Sequence, residues 1–369
     1  MKILHVSKKY PQALGGDAVV VFNLRQQQQA VGHDVAVVTS NCDEIADAPH
    51  IYKFGLKDTP AALDAITPKR IVSLIMLFFR MFAIVRRERP DVIHTHSIDM
   101  AFVVSAAARF YGIPMVHTFH IVTFYDAHQS VFRRKTELWL ARMAKPQAAT
   151  VPNTYDVKKL QQAGLTQTKL LPNGVDLPFW RAYAHVDERE EFVFVAVGRL
   201  EPQKGYEHLV RAASLLAHTF PMPFQVIIVG AGSQEESLQE LIRSQYVEDV
   251  VTLVGAKSPE EVRALFSQAD AAVFPSLYET TPVTLLEAWA ASVPVIVSSV
   301  GILRDVPVSF DAAYVVSPGD DEALADAMSQ CITDIQTRLS VAASGYKEAT
   351  KYAWPHVAQT AEAIYRSIT

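Results

Sequence analysis

The sequence predicts an α/β protein of two Rossmann-like domains, on three observations. Short apolar, β-branched runs alternate with amphipathic stretches, the pattern of βαβ units and of a parallel sheet with helices on both faces. The rhythm breaks at a polar stretch at about residues 177–190 and restarts at Phe192. The length of 369 residues also exceeds what one core normally serves, at roughly 100 to 200 residues per domain.

In the first half, strands are expected at KILHV, DVAVVT from Asp34, VIHTH from Val92, MVHTF from Met115 and AATV from Ala148. Helices are expected between them near 17–31, 69–89, 99–111, 130–144 and 154–163. The second half repeats the order with FVFVAVG, QVIIVG, VVTLVG, AAVFP and PVIVSS, each followed by a helical pattern. The domains are therefore expected at 1–178 and 190–353. In open sheets of this kind ligands gather outside the carboxyl ends of the strands, so two facing domains are expected to enclose one cleft.

Composition narrows the function classes. Half of the residues are apolar and a fifth are charged, which is ordinary globular material. Cys42 and Cys331 lie far apart and suggest neither a disulfide framework nor a zinc site, which fits a reducing, cytoplasmic setting. The start MKILHVSKKYPQ has no secretory pattern. The apolar run Ile71–Val85 contains Arg80 and falls short of the roughly 20 residues a membrane span needs. Net charge of −5 hides an asymmetry: residues 1–180 hold 21 Lys+Arg against 14 Asp+Glu, and residues 181–369 hold 13 against 25. A basic half suits an anionic membrane or a polyanionic substrate, or is simply an uneven solvated surface. The sequence pI of about 6.2 speaks against nucleic acid.

Two segments carry chemistry. In GRLEPQKGYEHLVRA a strand ends at Val197, a loop holds Arg199 and Lys204, and a helix follows Gly205. Two cations on a strand-to-helix loop can converge on a phosphate; otherwise they are solvated surface charges. In PSLYETTPVTLLEAWAASVPVIVSS, Glu279 ends a strand and Glu287 lies inside the next helix. At about 100° per residue the two do not share a narrow stripe, so they are expected to contact different parts of a ligand. Paired acid/base work would require both to face one bond.

The ordered set GRLEPQKG, VGAGSQEESLQEL, VTLVGAKSPEEV and PSLYETTPVTLLEAWA, with PNGVD upstream, resembles the retaining nucleotide-sugar glycosyltransferases of family four, which have the GT-B fold. The resemblance spans nearly the whole chain. It implies that Arg199 and Lys204 bind the donor diphosphate and replace a metal by stabilising the departing charge. Glu279 would bind hydroxyls of the donor sugar, Glu287 the ribose hydroxyls, and the backbone from Val254 to Ser258, Lys257 included, the base. Amides near Thr281, Pro282 and Val283 would contact phosphate or sugar. From the first domain come Gly15 and Gly16, whose missing Cβ admits the donor, and His120, near the anomeric centre; Asp17 would cap the helix that follows. The closing helix 354–369 would return to the first domain, burying Val357, Ala361, Ile364 and Tyr365.

The implied reaction is retaining transfer from a UDP- or GDP-linked sugar to a hydroxyl of a glycan, a lipid-linked sugar or a small molecule, in cell-surface glycan synthesis, with no cofactor and no metal. His94 and His96 form an H-x-H pair, but no third ligand at metal spacing accompanies them. The chain departs from the family where Thr280 and Thr281 replace Gly-Phe, where Ile302 replaces a glycine after Gly301, and at Ser292, read as helix-end variation. The segments PKRIVSLIMLFFRMFAIVRRERP and VFRRKTELWLARMAK read either as an interfacial surface for anionic lipid or, for the first, as a core helix with polar ends; apolar residues all round that helix favour the core. The competing classes are an NAD-dependent oxidoreductase, which lacks G-x-G-x-x-G after strand one, and a non-catalytic sugar-nucleotide-binding subunit. A phosphorylase or epimerase on the same fold is a nearer alternative.

Overall fold

The computed structural model describes residues 1–10, 16–40, 48–55, 68–120, 122, 131–181, 191–279, 281–304 and 311–369. It divides into two compact units, Met1–Asn173 with Trp354–Thr369, and Gly174–Ala353. Both are wound on parallel sheets flanked by helices.

The first unit holds strands β1 (Lys2–Val6), β2 (Asp34–Ser40), β3 (Ile51–Phe54), β4 (Val92–Thr95), β5 (Met115–Thr118), β6 (Ala148–Val151) and β7 (Thr168–Leu170), in the order β3-β2-β1-β4-β5-β6-β7. The chain winds outward from β1 to β3, then restarts at β4 on the other side of β1. That reversal opens a crevice at the carboxyl ends of β1 and β4. Side-chain alternation assigns the faces. Ile3, Val35, Val92 and Val116 pack with the helices Gly16–Ala30 and Trp354–Arg366, while Leu4, Ala36 and Ile93 pack with Pro68–Glu88, Ile98–Tyr111 and Val131–Ala144. The closing helix thus belongs to the first unit, with Trp354, Val357, Ala361, Ile364 and Tyr365 buried.

The second unit holds β8 (Phe192–Val197), β9 (Phe224–Val229), β10 (Val251–Leu253), β11 (Ala271–Phe274), β12 (Val295–Ser298) and β13 (Tyr314–Val316), ordered β10-β9-β8-β11-β12-β13. The same reversal falls between β8 and β11. The chain enters this unit earlier than the composition break suggests: Val175 and Trp180 are buried in its core, so residues 174–178 belong here rather than to the first unit. Val175 donates its N–H to the Tyr352 carbonyl beside the exit from the unit.

Three strands, β3, β7 and β13, are absent from the sequence reading. Each is a sheet edge of three or four residues, and such runs show no period. The helix Pro68–Glu88 also differs from its expected core role. Leu77, Met81, Ile84 and Val85 are buried, but Ile71, Val72, Ile75, Phe78 and Phe79 are exposed. With Phe110, Phe132 and Trp139 of the neighbouring helices, they leave an apolar, aromatic face uncovered, among the exposed cations Lys69, Arg86, Arg87 and Lys135. Among the described residues no helix is long and apolar enough to cross a membrane.

Candidate functional site

In the second unit the crevice between β8 and β11 is built by two interlocked loops. Gly205 follows the turn Pro202–Lys204 with φ 66°, and a Cβ there would overlap the Pro275 carbonyl, so only glycine lets the loops close. Leu277 and Tyr278 donate N–H groups to the Gln203 carbonyl, at 2.9 and 3.3 Å. On the other side, Leu200 donates to Ala231 and Gln234 to Leu200. The loops after β8, β9 and β11 are therefore pinned to one another through backbone.

This framework sets the side chains. Lys204 forms an ion pair with Glu279, both largely buried, and the Ser276 hydroxyl donates to the same carboxylate at 3.5 Å. Tyr206 lies behind the pair, its hydroxyl pushed above the ordinary range by burial and by the Glu279 charge. Arg199 is exposed and makes no ion pair among the described residues. Lys204 is thus held by the Glu279 carboxylate, and Arg199 is left as the cation without an ion pair among the described residues.

The helix Val283–Ala290 starts at this crevice, capped by Pro282, which makes no side-chain hydrogen bond. Proline has no N–H, so of the expected segment Thr281, Pro282 and Val283 the middle residue cannot donate. Thr281 is buried. The Val283 and Thr284 amides have no backbone acceptor among the described residues, and the buried Thr284 hydroxyl has no partner. Thr284, which the sequence reading passes over, thus adds an unsatisfied polar group at a helix N-terminus, where anions are favoured. One turn on, Glu287 is half-buried on its helix, and desolvation pushes its carboxyl up to about 8. No described side chain pairs with it. Its helix is fixed by Trp289, which donates to the Ala312 carbonyl at 2.9 Å and packs on Gly345. The helix ends in a Schellman motif, Val293 donating to Ala288 and Ser292 to Trp289. Ser292 holds φ 59°, the conformation that favours glycine.

Val254 donates its N–H to Ile228, and Ser258 bonds Glu261 in a capping box. That leaves the amides of Gly255, Ala256 and Lys257 as donors in the expected base-binding stretch. The Lys257 side chain is paired with Glu261 on the surface. Pro282, Ser298, Val300 and Ile302 line a small pocket beside Glu279, so Ile302 occupies space that the family's glycine would leave open.

In the first unit, Gly16 opens the helix Gly16–Ala30, whereas Gly15 and the Asp17 side chain lie outside the described residues, as does Cys42. Cys331 is a buried free thiol. His117 is packed on β5, bonded to the Thr95 hydroxyl at 2.9 Å. His120 bonds His96 at 3.1 Å. The register of β1 on β4 sets His5 opposite His94, and ring nitrogens of His5, His94 and His96 come within 4.8 Å of one another. The third histidine missing from the sequence reading is therefore supplied by another strand, which sequence spacing cannot reveal. Burial keeps these rings uncharged: His5 is lowered to about 4 and His117 to about 3, with His94 and His96 well below the ordinary value. A cavity of about 790 Å³ lies at the opposite, amino ends of these strands, lined by Met1, Asp91 and Gln147 among others.

Comparison with known proteins matches both halves. Residues 14–179 fit the family model Glycosyltransferase Family 4, and residues 183–348 fit Glycosyl transferases group 1. The glycogen synthase of Mycobacterium tuberculosis is 29% identical over 395 aligned positions, covering 99% of this chain and 94% of that protein. Among solved structures, sucrose-phosphate synthase from Thermosynechococcus elongatus superposes with a TM-score of 0.82 at 22% identity, over 99% of this chain and 98% of the other. HepE of Anabaena, solved with UDP-glucose, gives 0.79 at 19% identity over the full length of both. The two wound sheets and these matches agree, and the chain belongs to the family-four glycosyltransferases of GT-B fold.

Proposed function

We propose that this glycosyltransferase takes a sugar from a UDP- or GDP-linked donor and passes it, with retention of anomeric configuration, to a hydroxyl of a glycan or lipid-linked acceptor in cell-surface glycan synthesis. The observation that carries the reading is the β8/β11 crevice. It offers an uncompensated cation at Arg199, a second at Lys204 held ready by Glu279, free amides at Val283 and Thr284, and an unpartnered carboxyl at Glu287. Cations and amides suit a diphosphate, and a carboxyl with no protein donor suits a ribose diol. The UDP-glucose complex of HepE supports a nucleotide-sugar donor. We assign Glu279 to sugar hydroxyls and His120 to the sugar near its anomeric centre.

In this scheme the acceptor oxygen attacks the anomeric carbon on the face from which the diphosphate leaves. The C–O bond to phosphate breaks, and the acceptor's proton passes to the departing β-phosphate oxygen. Arg199 and Lys204 stabilise the growing negative charge, the task a divalent ion performs elsewhere. Activity is therefore expected to survive EDTA. We further assign the uncovered aromatic face of the first unit, with its basic rim, to the surface of an anionic membrane, which places the enzyme on the cytoplasmic side.

The test is turnover over a panel of UDP-, GDP- and ADP-sugars, then kinetics of single variants. Arg199→Ala and Lys204→Ala should lower kcat by roughly a hundred- to thousandfold, because they act on charge that develops in the transition state. Glu287→Ala should raise KM for the donor with little change in kcat. Wild-type turnover in either cation variant, or equal kcat losses in all three, overturns these assignments.

A further inference from the structure

A second feature of the molecule, wholly inside the first unit, is not used by that scheme. His5, His94 and His96 stand at the β1/β4 crevice and join two buried chains of hydrogen bonds that meet at Gln28. The first chain runs Gln28 to His5 (2.8 Å), His5 to His96 (3.0 Å) and His96 to His120 (3.1 Å). The second runs Gln28 to Tyr365 (3.3 Å), Tyr365 to His94 (2.7 Å), His94 to Thr118 (2.6 Å) and Thr118 to Thr150 (2.6 Å). Thr150 ends it on the His117 carbonyl, at 3.5 Å.

A carbonyl only accepts, and from that end every proton can be placed. Thr150 donates to the His117 carbonyl, so Thr118 donates to Thr150. His94 then donates from Nε2 to Thr118, and as a neutral ring it must accept at Nδ1 from the Tyr365 hydroxyl. Tyr365 therefore accepts from the Gln28 amide nitrogen, which turns Gln28 Oε1 towards His5. His5 donates to it from Nε2 and accepts at Nδ1 from His96 Nε2–H. His96, also neutral, accepts at Nδ1, and its donor is His120 Nε2–H. The Gln28 amide, with Oε1 towards His5 and Nε2 towards Tyr365, sets the same direction in both chains; turning it over would reverse every link.

We propose that Gln28 and Tyr365 are positioning residues that fix His120 as the Nε2–H tautomer, so that in the neutral ring Nδ1 carries the lone pair. A zinc site is the competing use of three clustered histidines. It would require breaking the His5–His96 bond and freeing a nitrogen of His94, both of whose nitrogens already bond hydroxyls.

The inference about tautomer stands on geometry alone; only its effect on rate rests on the proposed assignment of His120 to the sugar. The test uses the full chain labelled with ¹⁵N at histidine, with His120 identified by loss of its signals in His120→Asn. Long-range ¹H–¹⁵N correlation of the wild type should show His120 protonated at Nε2 and bare at Nδ1. Gln28→Met should give mixed tautomers at His120 and lower kcat roughly tenfold with donor KM little changed. Gln28→Glu, which still accepts from His5, should keep the wild-type pattern. Tyr365→Phe breaks the second chain and serves if Gln28→Met does not fold; it too should mix the tautomers. A wild-type His120 protonated at Nδ1, an unchanged pattern in the variant that removes Gln28, or stoichiometric uptake of added Zn²⁺ with loss of the His5 and His94 patterns would overturn the proposal. Absence of turnover with every donor would leave the tautomer result standing and count against the assigned activity alone.

Discussion

Glu287→Gln isolates the cost of burying a carboxyl that nothing in the folded protein compensates. In the native state burial raises this group to about 8, against 4.5 in the unfolded chain. Between those values the folded protein holds a proton that the unfolded chain has released. Stability is therefore greatest below pH 4.5 with respect to this group, falls as pH rises towards 8, and is flat above it. At about 1.4 kcal/mol per pH unit, an interval of about 3.5 units gives an upper bound of about 5 kcal/mol. Partial exposure of the residue and relaxation around the ion reduce this to roughly 2 to 3 kcal/mol. Glutamine carries no charge at any pH, and whatever fixed penalty it pays is the same at pH 5 and pH 9. The measurable quantity is thus the change in the gap between variant and wild type. Thermal melts followed by tryptophan fluorescence, to which the buried Trp289 on the same helix contributes, should show the variant gaining roughly 5 to 10 °C on the wild type between pH 5 and pH 9. Melting curves that stay parallel across that range would show that the carboxyl is not confined as argued.

Other expectations follow from single contacts. Ser292→Gly should raise stability by about 1 kcal/mol in denaturant titration, because glycine takes the left-handed C-terminal position of the Schellman motif without a Cβ clash. Gly345→Ala should lower it by about 1 to 2 kcal/mol despite better helix propensity, since the new Cβ would lie 2.5 Å from the Trp289 ring; a stabilised protein would show that the ring can move. Co-sedimentation with vesicles should be seen with anionic but not zwitterionic lipid, and Phe79→Asp with Phe132→Asp should abolish it. Retained binding in that double variant would move the membrane contact elsewhere.

The sequence reads well wherever a signal is local. Strands such as Phe192–Val197 are continuous apolar runs because both faces are covered, and the loop from Gly198 to Gly205 carries its own punctuation. What it leaves unread depends on partners distant in the chain. Lys204 and Glu279 are each legible, but that they pair follows from β8 lying beside β11. His5 lies inside an ordinary strand pattern, and only the parallel register against β4 shows that it faces His94. Thr284 gives no pattern at all; its significance is an unsatisfied hydroxyl, a property of the packed state. The helix Pro68–Glu88 misleads for the opposite reason: apolar residues all round suggest burial, whereas the fold covers only one side.

The helix Trp354–Arg366 has a consequence for the order of events during synthesis. Residues 174–353 form a continuous unit whose own core is complete once they are made. The first unit is translated earlier but waits for its last piece: until residues 354–369 follow, Ile3, Val35 and Val92 lack their cover and Gln28 and His94 lack Tyr365. A released chain truncated at residue 353 should therefore carry a finished second unit beside an open first one, sensitive to protease and attractive to chaperones. Release from that state comes with a single helix, which closes the core and joins the two histidine chains in one event.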